Sequence, residues 1–62
     1  MPEVIIYALS GRSAAQKKAL MQAITEAVEQ HFQVPAAGVV VQIVESSPDS
    51  KSKGGIPYSE RS

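Results

Sequence analysis

The sequence predicts an α+β fold in which two parallel strands and the helix between them form a β-α-β unit, followed by a short carboxy-terminal hairpin. Three observations support this prediction. Val4 to Leu9 is a short apolar run, residues 14 to 32 form an uninterrupted amphipathic segment, and Val39 to Val44 is a second apolar run. A strand, a crossover helix and a second strand in this order give a right-handed connection between parallel strands.

Both apolar runs are predicted to be strands. Each is short and rich in β-branched or aromatic residues, which favours a strand over a helical segment. The first run does not alternate between apolar and polar residues, so both faces of the sheet are expected to be covered, as in parallel sheets. One helix covers only one face, and a two-stranded sheet is not stable alone. We therefore expect the remaining apolar face to join or stack against other chains.

The helix is predicted to run from Ala14 to Phe32. Ser13 is its expected N-cap, and Gln16 completes a capping box that satisfies two backbone donors. No glycine or proline interrupts the segment, and Pro35 ends it because proline disfavours helix at the preceding residue. The residues expected on the apolar face are Leu20, Met21, Ile24, Ala27, Val28, His31 and Phe32. Those expected mostly on the other side are Lys17, Lys18, Gln22, Glu26, Glu29 and Gln30.

The composition changes after the second strand. Residues 46 to 53 are polar and have the serine, proline and aspartate content of a loop. The pair Gly54-Gly55 is predicted to start a short hairpin or edge strand, in which Ile56 and Tyr58 dock apolar groups. Residues 59 to 62 are predicted to form a polar tail. We find no internal repeat, so residues 1–62 are predicted to form a single domain.

Length and cysteine content restrict how this fold can be stabilised. A domain of about 60 residues buries only about 60% of the surface that its unfolded chain exposes, and it usually needs disulfides, a metal or partners. The 62-residue chain has no cysteine and one histidine. Disulfides and thiolate metal sites are therefore excluded, and no metal site is predicted. Oligomerisation remains as the expected source of stability.

Charge and hydropathy exclude several classes of partner. Six basic and six acidic residues give a formal net charge of zero, whereas a nucleic-acid surface is clearly basic. No apolar run approaches the length of a membrane span, and the amino terminus lacks the basic region of a signal peptide. The absence of cysteine is typical of a reducing compartment. We therefore expect a soluble, cytoplasmic, oligomeric protein that binds neither nucleic acid nor membranes.

Pro2 is the candidate catalytic residue. It opens the first strand, where proline is tolerated because no ladder donor is needed. Removal of Met1 would turn Pro2 into a secondary amine at the end of a strand, whereas retention of Met1 would leave an amide that cannot act as a base. A free α-amine has a pKa of about 7.7–8.0, and an apolar site next to cations lowers that pKa. Proton transfer at carbon requires a base of this kind.

Arg12 is the candidate anion-binding residue. It stands between the turn residue Gly11, which can adopt backbone angles that other residues avoid, and the predicted N-cap Ser13. An arginine at a helix start is ordinarily a solvated surface residue, and its charge is mildly unfavourable beside the positive end of the helix dipole. An arginine together with a helix N-terminus also makes a site for a carboxylate.

Two further residues have competing interpretations. His31 falls on the apolar face of the helix, which favours a core or interface position over catalysis, and no Ser/His/Asp set can be argued. Glu45, at the end of the second strand, is either a candidate base or a surface carboxylate.

Several features occur together that resemble the 4-oxalocrotonate tautomerase family. The resemblance covers nearly the whole chain, although no single motif decides it. The matching features are Pro2 behind Met1, the turn Leu9-Ser10-Gly11-Arg12-Ser13, Gln16-Lys17, Pro35, the valine-rich second strand, Glu45 and Gly54-Gly55.

The resemblance implies a fold, an assembly and an activity. The family's fold is a β-α-β unit with a short carboxy-terminal hairpin, and many members are hexamers built as trimers of dimers. The resemblance further implies a cofactor-independent isomerase that moves a proton between oxygen and carbon of an enol or dienol of a small 2-oxo acid. Pro2 would be the base, and Arg12 would hold a substrate carboxylate across a subunit boundary. A homohexamer or a hetero-hexamer is the expected assembly.

The sequence departs from the family pattern at two places. The family's second arginine falls where this chain has Val40, and the aromatic residue of the family's pocket falls near Lys51. Lys51, Lys53 and Arg61 are candidates to supply the missing positive charge, although a solvated loop also explains the lysines. Two alternative functions follow. One is a lyase or hydrolytic dehalogenase with Pro2 as acid and Glu45 activating water, and the other is a non-catalytic subunit that needs a partner chain.

Overall fold

A computed structural model describes residues 1–61, so that of the predicted polar tail only Ser62 lies outside the described residues. Residues 1–61 fold into four strands, one long helix and three short 3-10 helices. The strands are β1 (Glu3–Leu9), β2 (Val40–Ser46), β3 (Ser52–Lys53) and β4 (Ile56–Pro57), the long helix is α1 (Ala14–Phe32), and the 3-10 helices are Ala36–Gly38, Pro48–Ser50 and Tyr58–Glu60.

Strands β1 and β2 are adjacent and parallel, in the register Glu3↔Val40 through Leu9↔Ser46. The predicted β-α-β unit is therefore confirmed. The second strand begins one residue later than predicted and extends to Ser46. Its start is delayed because the backbone N–H of Val39 donates to the carbonyl of Ala36 in the preceding 3-10 turn, and is not available to the sheet.

Helix α1 has the predicted boundaries and the predicted capping box. The Ser13 hydroxyl accepts a hydrogen bond from the backbone N–H of Gln16 at 3.1 Å, and the Ser13 N–H donates to the Gln16 side chain at 3.0 Å. The helix ends at Gln33, which adopts the left-handed conformation (φ 57°) before Val34 and Pro35. In the described part of the chain, α1 does not have the length and apolarity of a membrane-crossing helix.

The helix face that meets the sheet differs in part from the predicted one. Met21, Ile24 and Val28 are half-buried as predicted, whereas Phe32 is 68% exposed. The remaining residues predicted on this face are exposed as well: Leu20, Ala27 and His31. Two strands about 4.8 Å apart are too narrow to cover a wide helical stripe. The 19-residue helix also extends beyond the 7-residue strands, about 28 Å against about 23 Å.

The sheet has one covered and one uncovered face in the single chain. Val4, Ile6 and Ala8 point towards α1 and are half-buried, and we call this face the helix side. The other face, which we call the open face, presents Ile5 and Tyr7, and the Tyr7 side chain is 71% exposed. No residue among positions 1–61 is fully buried. The single chain therefore lacks a closed core, as expected, and the covering of the open face by other chains stays a prediction.

The carboxy-terminal segment forms the predicted hairpin. Strands β3 and β4 pair antiparallel, and the connecting residues Gly54 and Gly55 have positive φ angles of 63° and 84°. Two successive positive φ angles are what a tight hairpin turn of this twist requires, and glycine adopts them without steric cost. Tyr58 is half-buried as expected for a docked residue, but Ile56 is 50% exposed.

Candidate active site

The β-α-β unit has two chemically different edges. Because β1 and β2 are parallel and α1 returns antiparallel to them, the ends of both strands and the start of α1 lie at one edge, which we call the carboxyl edge. Arg12 lies there, in the connection between β1 and α1. Pro2 lies at the opposite edge, which we call the amino edge.

A pocket of about 220 Å³ opens at the carboxyl edge, between α1 and the helix side of the sheet. Ile6, Leu9, Leu20 and Ile43 contribute apolar walls. The charged side chains that line the pocket are those of Arg12, Lys17 and Glu45. An apolar cavity with a few convergent polar groups is the usual form of a small-molecule site.

Arg12 is held at this pocket by its two neighbours in sequence. Gly11 has a φ angle of 126°, a conformation that favours glycine and turns the chain out of β1. Ser13 then caps α1 and fixes the first turn of the helix. No acidic residue stands in that first turn to neutralise Arg12 or the positive end of the helix. Both features favour a bound anion at this point.

Lys17 and Glu45 form an ion pair at the pocket. The Lys17 Nζ atom lies 3.0 Å from Glu45 Oε1, and each side chain is 31% exposed. The assignment of Lys17 to the solvent side of the helix was therefore wrong, because α1 begins beside the end of β2 and turns this residue towards Glu45. The sequence carries a signal for this ion pair: a basic residue stands at the start of the crossover helix, and an acidic residue stands at the end of the following parallel strand.

Pro2 occupies the amino edge. Its carbonyl accepts a hydrogen bond from the Val40 N–H at 3.0 Å, which continues the β1–β2 ladder by one residue. Pro2 is half-buried, and Met1 is 89% exposed. The intervening strand β1 has 7 residues and spans more than about 20 Å. One chain therefore does not bring Pro2 and Arg12 together.

The three cations of the carboxy-terminal segment do not line the pocket. Arg61 is engaged within that segment, because its Nη1 atom donates to the carbonyl of Lys53 at 3.4 Å and its guanidinium lies 5.8 Å from the centre of the Tyr58 ring. The carbonyl of Lys51 accepts from the Tyr58 N–H at 2.9 Å. The side chains of Lys51 and Lys53 are exposed.

Solved structures show which class of protein has this fold. The heterohexamer 4-oxalocrotonate tautomerase from Chloroflexus aurantiacus superimposes with a TM-score of 0.86 and 38% identity, over 97% of each chain. A 4-oxalocrotonate tautomerase homologue superimposes with a TM-score of 0.92 and 26% identity, over 100% of this chain and 98% of the other. The β-α-β unit with its carboxy-terminal hairpin is therefore a 4-oxalocrotonate tautomerase fold.

Sequence comparison gives the same result. The model of a family described as "Tautomerase enzyme" matches residues 3–52. A probable tautomerase from Bradyrhizobium diazoefficiens is 39% identical over 61 residues, which cover 98% of this chain and 91% of that protein. The chain belongs to the tautomerase family.

Proposed function

We propose that the protein is a cofactor-independent tautomerase that converts the enol of a small 2-oxo acid to its keto form, with Pro2 as the base after removal of Met1. The observation that carries the proposal is the carboxyl-edge pocket, in which Arg12 stands at an apolar cavity beside a helix N-terminus. That site suits a small carboxylate with an apolar body. Membership of the tautomerase family supports the reaction class.

The proposed site combines two copies of the chain. Within residues 1–61, only one edge of β1 is paired, since the sheet order is β1-β2. If two β1 edges pair antiparallel about a two-fold axis, the start of one strand lies beside the end of the other. Side chains alternate along a strand, so Pro2 falls on the same side of the sheet as Val4 and Ile6, which is the side of the pocket. Pro2 of one copy would then approach Arg12 of the other.

The chemistry of the proposed step needs only these two groups and the substrate. The Arg12 guanidinium holds the substrate carboxylate through two parallel hydrogen bonds. The Pro2 amine accepts the proton from the enol hydroxyl, and the carbonyl forms as the carbon–carbon double bond shifts. The prolinium then returns the proton to carbon, so that product and substrate are isomers. A base with a pKa near the working pH is efficient in both directions.

A second candidate is a subunit of a mixed assembly. It is favoured by Val40, which lies beside Pro2 and brings no charge to the amino edge. The fold is shared with a heterohexamer tautomerase that is 38% identical, so a partner chain of related fold could supply a further cation. The hydrolytic alternative has less support, because Glu45, the candidate base, is already paired with Lys17.

Intact mass and a tautomerase assay test the proposal. The mass of the purified protein is measured first, and a mass short by one methionine is expected. That material is then assayed with phenylenolpyruvate, and ketonisation above the buffer rate is expected. Processed, assembled protein without activity on any enol would overturn the single-chain proposal. Recovery of activity on adding a related tautomerase chain from the same source would establish the mixed assembly instead.

A further inference from the structure

From the distribution of charge in the chain we infer that the substrate of the proposed tautomerase carries a single carboxylate, and that its other end is uncharged and apolar. The inference rests on the proposed function and adds a substrate class to it. The inference follows from the positions and pairing of the cations in the chain, because a second carboxylate needs a further cation to bind it.

Among residues 1–61, the pocket at the carboxyl edge has one cation without an ion-pair partner, Arg12. Arg12 and Lys17 both line it, but Lys17 Nζ lies 3.0 Å from Glu45 Oε1. The pair leaves Arg12 to bind a carboxylate, and Glu45 would repel a second one. The remaining pocket surface comes from apolar residues, among them Ile6, Leu20 and Ile43. The pocket therefore accepts one negative charge and an apolar body.

The two strands that frame the proposed site supply no cation. Neither β1 nor β2 contains a lysine or an arginine, and the charged residues in them are Glu3 and Glu45. Beside Pro2, the register places Glu3 opposite Val40. Because side chains alternate along a strand, Glu3 and Val40 lie on the open face, opposite to Pro2. A substrate whose second end reached the amino edge would therefore meet no cation from either strand. A second carboxylate would be desolvated without compensation, which is costly.

The other cations of the chain lie elsewhere. Of the six in the sequence, Lys18 is exposed on α1, and Arg61 is held against Tyr58 and the carbonyl of Lys53. Lys51 and Lys53 are exposed in the carboxy-terminal segment. These two lysines are the groups through which another copy could bring positive charge to the site, so the experiment includes them.

The experiment compares two dienols that differ by one carboxylate. Assembled protein lacking Met1 is assayed with 2-hydroxypenta-2,4-dienoate, a monoacid, and with 2-hydroxymuconate, the corresponding diacid. We expect kcat/KM for the monoacid to exceed that for the diacid by about tenfold or more, since an uncompensated charge at the site is rejected. Glu45→Gln removes the repelling carboxylate and releases Lys17. It is expected to lower the ratio of monoacid to diacid kcat/KM by about tenfold.

A matched control and a second variant keep the result interpretable. Glu29→Gln removes an exposed carboxylate of α1 outside the pocket, and the ratio is expected to stay at the wild-type value. Val40→Arg adds a long cationic side chain at the amino edge by a different route and is also expected to lower the ratio. Assembly of each variant is verified by sedimentation before the assay.

The outcomes separate the inference from the function on which it rests. Absence of turnover with both dienols and with phenylenolpyruvate would overturn the proposed function. Turnover with an equal or higher kcat/KM for the diacid would overturn the inference alone. If that diacid activity fell on changing both Lys51 and Lys53 to alanine, the second cation would be assigned to the carboxy-terminal segment of another copy.

Discussion

At its carboxyl end, β1 leads into a glycine turn, a capped helix and a pocket that carries Arg12, Lys17 and Glu45. At its amino end, the same strand begins with Pro2 and meets only Val40 across the ladder. The carboxyl edge carries two cations and a carboxylate and is built from three elements. The amino edge is built from two strand starts, and their residues Glu3 and Val40 bring no cation. The proposed base, Pro2, and the proposed carboxylate-binding residue, Arg12, thus lie at opposite ends of one strand.

Under the proposed function, the difference between the two edges means that a single chain does not form a complete site. A proton-transfer base must lie within hydrogen-bond reach of its substrate, and β1 separates Pro2 from Arg12 by more than about 20 Å. The apolar open face, where Tyr7 is 71% exposed, gives an independent reason for association. Pairing of two β1 edges would bring the carboxyl edge of one copy beside the amino edge of the other. Stacking of the resulting sheets face to face would cover the open face.

The largest expected effect is at the amino edge. Pro2→Ala is expected to lower kcat/KM by about 10²- to 10⁴-fold, the usual contribution of a general base. Steady-state kinetics with phenylenolpyruvate measure the change. Pro35→Ala, an exposed proline before the 3-10 turn, is the matched control and should retain full activity. Full activity of the Pro2 variant would show that the secondary amine of proline is not required.

A smaller loss is expected at the carboxyl edge. Arg12→Ala removes a charged hydrogen-bonding partner, so kcat/KM is expected to fall about 10- to 100-fold, chiefly through a higher KM. Lys18→Ala removes an exposed cation of α1, the helix that follows Arg12, outside the pocket and is expected to have little effect. Equal losses of kcat/KM in the Arg12 and Lys18 variants would indicate that positive charge acts on the substrate at long range, and not through a direct contact with Arg12.

Mixing the Pro2→Ala and Arg12→Ala variants tests whether the Pro2 and the Arg12 of one site come from different copies of the chain. Chains carrying Pro2→Ala and chains carrying Arg12→Ala are unfolded, mixed in equal amounts and refolded together. If each site takes Pro2 from one copy and Arg12 from another, random two-fold pairing restores about a quarter of the wild-type activity. Each variant refolded alone is the control. A mixture no more active than those controls would place both residues in the same copy.

The smallest expected effect concerns the local construction of the carboxyl edge. Ser13→Ala removes the hydroxyl that accepts from the Gln16 N–H, and loss of such a cap costs about 0.5–2 kcal/mol in the free energy of unfolding. Denaturant unfolding at a fixed protomer concentration measures it, because association contributes to stability. Ser59→Ala, in an exposed turn, is the control. An equal loss there would contradict a capping role.

Local patterns predicted the helix and the hairpin. The boundaries of α1 follow from Ser13, Gln16 and Pro35, because capping and proline effects act over three or four residues. The Gly54-Gly55 turn follows from the φ angles that glycine adopts without steric cost. These interactions depend on residues that are neighbours in sequence, so they can be recognised without the tertiary structure.

The face of the helix and the charged lining of the pocket were predicted less well. Periodicity placed Lys17 towards solvent, but its partner Glu45 lies 28 positions away in sequence. Leu20 and Phe32 were assigned to the covered face, yet the two-stranded sheet is too narrow and too short to reach them. Both errors concern how far apart the helix and the strands lie in space. Local sequence patterns do not determine such distances.

The sequence by itself determined the order of elements, the helix limits and the hairpin turn. It also predicts the two residues on which the proposed chemistry depends, Pro2 and Arg12. Each follows from local backbone preferences or from the chemistry of one side chain. Only the tertiary structure decided that Lys17 is neutralised by Glu45 and that Pro2 and Arg12 lie at opposite edges. Those facts depend on how parallel strands and their crossover helix are placed in space, since that placement fixes which distant residues meet.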